Sequence, residues 1–103
     1  MRALDPIPED VEKDRLARAA EFAQDEKDWA EGYKPGSFGC HELLDRTAMF
    51  AAMVEQEIQT HPACVANPEW FLLAEQAAAA LRELYQQIGA EHLTADETSA
   101  EAP

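Results

Sequence analysis

Apolar positions recur at helical spacing in three stretches of the chain. In the first, Leu16, Ala19, Ala20, Ala23 and Ala30 form one narrow stripe, while Val11, Phe22 and Trp29 form a second about 120° away when residues advance about 100° each. Two weak stripes fit a helix laid into a groove, touching neighbours on two sides. Asp5 or Pro6 can open this helix, Pro8 is tolerated only in its first turn, and Glu9, Asp10 and Glu12 suit the positive end of the helix dipole. The pattern predicts a helix over about residues 8–31, ending before Gly32 and Pro35.

The second stretch predicts a helix over about 40–61, stopped by Pro62 because the residue before a proline is pushed out of the helical region. Leu43, Leu44, Thr47, Phe50, Ala51, Val54 and Ile58 fall on one face. Glu42, Asp45, Arg46, Gln56, Gln59 and Thr60 fall opposite, yet Met49 and Met53 sit in the middle of that polar face. The third helix, about 68–90, is well marked: Asn67 as N-cap, Pro68 at the first helical position and Glu69 in the first turn. Trp70, Leu73, Ala74, Ala77, Leu81, Leu84, Tyr85 and Ile88 give it a broad apolar face, Leu72 lands on the far side among polar residues, and Gly89 supplies the expected stop.

Helices two and three are similar in length and joined by a short loop, which predicts an antiparallel helical hairpin. The expected fold is all-α, one domain over residues 1–92, with the N-terminal helix packed across the hairpin. Residues 93–103, with three acids and one sizeable apolar side chain, are expected to form a disordered acidic tail. The alanine run 77–80 permits close approach of a neighbouring helix. Phe38 is expected to seat the loop before the second helix, and Trp70 and Phe71 to seat the loop between Pro62 and Pro68.

Composition supports this reading. The chain has 103 residues, 47% of them hydrophobic, with many alanines and few aromatic or β-branched residues, a balance that favours packed helices over sheet. A chain of this length buries only roughly 60 to 70% of its unfolded surface, so a second copy would help it, and self-association into a homodimer or larger homo-oligomer is expected. Against 21 acids stand 8 bases, a formal net charge of -13. Direct nucleic-acid binding and anionic membrane surfaces are excluded as partners, since both need cations this chain lacks, whereas a basic protein surface would be attracted. No apolar run reaches membrane-spanning length and the N-terminal stretch lacks the apolar core of a secretory signal, so the expected compartment is the cytoplasm. Cys40 and Cys64 are too few for a disulfide framework and are expected reduced.

Candidate chemistry concentrates in "PGSFGCHELLDRT", residues 35–47. Cys40, His41, His61 and Cys64 would make a complete tetrahedral zinc set, but the two pairs bracket a helix whose rise of about 1.5 Å per residue separates them by about 30 Å. Within one chain only His92, returning along the hairpin, would come near Cys40 and His41, and no metal or other cofactor is expected. Cys40 at a helix head suggests a nucleophile, yet His41 points about 100° away and Glu42 and Asp45 add negative charge. With no placed base or oxyanion donor, no catalytic residue is assigned and the chain is not read as an enzyme.

Two binding readings follow. In the first, Met49, Met53, Leu72 and Arg46 contact a protein partner, because soft apolar side chains on otherwise polar helix faces mark surfaces that receive other proteins. The chain is then a small acidic interaction module that regulates or inhibits a larger partner and self-associates through the hairpin. The alternative is a binder of a small anionic ligand such as a nucleotide at the helix head, with Tyr33, Lys34, Ser37, Phe38, Cys40 and His41 around it.

Overall fold

The structure is a computed structural model describing residues 6–101; Asp5 and the last two residues of the expected tail lie outside them. The described residues are all-α, with no strand among them. They fall into two compact units, one ending at Glu31 and the other beginning at Gly32.

The first unit holds helix α1, Glu9–Asp25, with Pro8 at its N-cap and three acids in its first turn. Arg15 hydrogen-bonds Glu12 one turn away and holds that carboxyl below its usual range. The helix stops well short of residue 31, because Glu26 turns extended. Asp25, Glu26 and Asp28 would put three acids at the negative end of a longer helix, against the one base Lys27. The chain continues into a 3-10 turn, Trp29–Tyr33. Phe22 and Trp29, members of the same stripe, stack with ring centroids 5.1 Å apart. No residue of α1 is buried.

The second unit is built on two rods. Helix α2, Phe38–Met53, starts where the Ser37 hydroxyl accepts the Cys40 amide at 3.1 Å. It runs into a π turn, Val54–Ile58, closed by the Gln59 amide donating to the Val54 carbonyl at 2.9 Å, so the expected α-helix to residue 61 is wound wider over its last part. A four-residue helix α3, Pro62–Val65, fills the connection and is capped by His61, whose Nδ1 accepts from the Ala63 amide. Helix α4, Pro68–Glu101, begins as expected: the Asn67 side chain accepts the amides of Glu69 and Trp70 at 3.1 and 3.2 Å.

Cross-links between the rods run in reverse order. Gly36 bonds His92, Glu55 pairs with Arg82, and Gln59 bonds Glu75. Positions rise before and along α2 while their partners fall along α4, so the rods are antiparallel. The seam between them is narrow and small: Cys40, Leu44, Thr47 and Ala51 from α2, and Ala74, Ala78 and His92 from α4. Thr47 satisfies its buried hydroxyl by donating to the Leu43 carbonyl at 2.8 Å. The broad faces expected to be core are only partly used, since Leu43, Phe50, Ile58, Trp70, Leu73 and Leu84 are exposed. Small seam residues bring the backbones close, and close rods cannot cover the wide flanks of their own apolar faces.

Gly89 does not stop α4. The helix passes through it, and the segment expected as a free tail is helical to Glu101. Among the described residues only Gly36 has a positive φ, so Gly89 lacks the left-handed geometry of a helix stop. Gly89→Ala should therefore stabilise the second unit by about 0.5–1 kcal/mol through helix propensity. A Cβ there would meet only Leu44 Cδ1, at an ordinary 3.8 Å. A urea titration checks this, and a loss of stability would restore the stop at Gly89.

Candidate partner-binding surfaces

The loop before α2 is a folded tie. Pro35 and Gly36 occupy the centre of a turn closed by the Ser37 amide donating to the Lys34 carbonyl at 3.0 Å, and Gly36 has φ 90°, which this turn requires at its third position. The Gly36 amide donates to His92 Nδ1 at 2.8 Å, across 56 residues. His92 is 6% exposed, and as an acceptor at Nδ1 it is the neutral ring with its proton on Nε2. Tyr33 packs against Gly39, whose bare Cα leaves no room for a side chain.

This arrangement uses the groups that the anion-binding reading needs. The Ser37 hydroxyl and carbonyl accept from Cys40 and His41, the Gly36 amide is taken by His92, and Cys40 is buried. Tyr33 and Phe38 are both exposed, but Phe38, at 88%, does not seat the loop as expected.

His41 and His92 do come together, with ring centroids 5.4 Å apart. His41 Nε2 faces Asp45 at 3.5 Å. His61 and Cys64 lie instead at the turn end, in a groove with Trp70. Among the described residues no three His, Cys, Asp or Glu side chains converge as a metal set.

His92 is the residue whose role sequence reasoning missed. Its signal is slight: an imidazole at a position expected to lie just past the end of a helix. His92→Phe keeps a ring but removes the acceptor, leaving the part-buried Gly36 amide unpaired at a cost of about 1–3 kcal/mol. His92→Asn, which presents an acceptor near the same place, should recover part of this. Equal losses in the two variants, measured by chemical denaturation, would show that the tie contributes nothing.

Of the four residues assigned to a protein partner, two come together in one groove. Phe38, His41, Glu42, Asp45, Arg46 and Met49 line about 280 Å³ along the outer side of α2. Arg46 pairs with Glu42 at 3.4 Å and His41 Nε2 lies 3.5 Å from Asp45, so polar and charged groups line the groove with the Phe38 ring and the Met49 thioether. Met49 and Met53 are half-exposed. Leu72 is also exposed but lies on the other rod and shares no groove with them.

A second groove of about 480 Å³ opens at the turn, between Ile58 at the end of the π winding and Trp70, Leu73 and Ala74 of α4, with Cys64 in its lining. On the opposite side of the seam Ala48, Ala52 and Glu55 meet Arg82 and Gln86. There Arg82 bonds Glu55 and Glu75, and the Glu55 hydrogen bond is the main cause of its raised pKa. One side of the hairpin is thus charged and cross-linked, and the other is apolar and open. No protein-family model, no curated protein and no solved structure matches the chain, so these surfaces are read on their own geometry.

Proposed function

We propose that this chain is a small acidic interaction module that captures a larger protein with a basic surface along the outer side of α2, and so regulates or inhibits it. The observation that carries this reading is the Phe38–Met49 groove. An 88% exposed aromatic ring and a half-exposed soft thioether line one groove along α2, with polar and charged side chains between them. Buried aromatic anchors ringed by polar residues dominate protein interfaces, and methionine adapts to what it meets. The net charge of -13 speeds encounter with a basic partner and opposes nucleic acid and anionic lipid. No described helix is long and apolar enough to cross a membrane.

Two measurements test the proposal. The wild-type chain used as bait should retain a basic protein that Phe38→Glu and Met49→Glu baits lose, with retention falling as salt rises. Equal retention by all three baits would remove the groove from the function. The small-anion reading at Tyr33–His41 predicts instead a thermal shift with some member of a nucleotide panel, since about a hundredfold excess over the dissociation constant stabilises by about 2.7 kcal/mol. The expected result is no shift.

A further inference from the structure

We infer that the open apolar side of the hairpin is a self-association face, and that its occupant is the same face of a second copy of this chain. Projected at about 100° per residue from the buried seam positions, Leu43, Phe50 and Val54 of α2 fall on one side, and Trp70, Leu73, Ala77, Leu84 and Ile88 of α4 fall on the same side. The turn-end groove, in which Glu57 and Ile58 stand beside Trp70 and Leu73, fixes which sides of the two rods adjoin. Together they make one continuous strip along the hairpin.

The strip is too large and too apolar to be a resting surface. Leu43, Phe50, Trp70, Leu73 and Leu84 are each between 44% and 63% exposed. With each leaving on the order of 100 Å² to water, two facing copies would cover about 1,000 Å² from these ten side chains alone. Adding their half-buried neighbours Val54 and Ile88 and the nearby Met53 brings the pair to the about 1,200–2,000 Å² of a specific interface.

Charge selects the occupant. Eight acids lie between Gly32 and Ala95. Of these, Glu57 and Glu69 border the strip at the turn end and Glu91 at the open end, while Glu55 and Glu75 lie on the cross-linked side. A basic partner is drawn to the acidic surfaces and gains nothing here. A partner for the strip needs a matching neutral apolar face two helices wide, and another copy presents one. Two such layers give a four-helix core, with a two-fold axis that lets each copy bury the same residues.

Mass measurement on the full chain tests this. Light scattering at micromolar concentration should give twice the mass of one chain. Phe50→Glu and Leu73→Glu, made separately at half-exposed positions that the isolated fold tolerates, should each return it to one. Gln76→Glu, off the strip on α4, adds the same charge and should leave the doubled mass unchanged. Far-ultraviolet circular dichroism confirms that the variants remain helical. A wild-type mass of one chain, or a doubled mass in both strip variants, would overturn the inference. Because this readout needs no other protein, it is independent of whether the Phe38–Met49 groove captures a partner.

Discussion

Gly39→Ala is expected to destabilise the second unit by about 1–3 kcal/mol, lowering its melting temperature by about 4–8 °C for each kcal/mol. By helix propensity alone the substitution would help, because Gly39 lies in the first turn of α2 and alanine is the better helix former. Packing reverses the sign. A Cβ at this position would sit 2.5 Å from the Gly32 carbonyl oxygen and 2.8 Å from Tyr33 Cε1, with Tyr33 Cδ1 nearer still. The ring can swing away, but the carbonyl belongs to the backbone and moves only if the 3-10 turn moves with it. The Lys34–Ser37 turn follows directly, so displacing Gly32 and Tyr33 would disturb the segment that presents Gly36 to His92. Paired with the stabilisation expected for Gly89→Ala, this makes two glycines in the same unit respond with opposite sign. An increase in melting temperature for Gly39→Ala would mean that the close approach of Tyr33 and Gly32 is not present in solution.

That contrast shows which parts of the fold were legible. Local chemistry was readable: Asn67, Pro68 and Glu69 marked the start of α4. The end of α1 was not readable, because the apolar periodicity continues through Trp29 and Ala30 and no glycine or proline comes between Glu9 and Gly32. Trp29 instead continues the stripe by stacking on Phe22 after the helix has ended. Gly89 reads as a stop in any local rule, and only its surroundings on α4 decide otherwise. The π turn has no signature in Val54–Ile58, which contains no glycine or proline to mark a departure from α winding. At the candidate site, Met49 and Arg46 could be picked out because they break a helix face's polarity. Phe38 was assigned to the loop instead, since the second helix was expected to begin at about residue 40 and it begins at Phe38.

Ala78→Leu should cost the second unit about 1–3 kcal/mol, and the reason lies in the π turn. Ala78 is 0% exposed. It stands on α4 between Glu75 and Arg82, whose partners Gln59 and Glu55 bracket the π winding, so its methyl lies level with the widened backbone of α2. A π turn has a larger radius than an α-helix, and the rods stay in contact there only if the facing residue is small. Within the alanine run of α4, Ala78 is therefore the fitted recess, while Ala77, Ala79 and Ala80 are exposed. A leucine would push Val54–Ile58 outward, strain the Gln59–Glu75 and Glu55–Arg82 links on one side of the seam, and tilt Ile58 and Trp70 apart at the turn-end groove on the other. The second consequence separates this variant from a simple loss of stability. If the strip that ends at Trp70 and Leu73 receives a second copy, Ala78→Leu should weaken the dimer without altering any residue that touches the partner. Sedimentation equilibrium beside a urea titration reads both effects, and a variant within about 0.5 kcal/mol of wild type would show that the rods are not held close at the π turn.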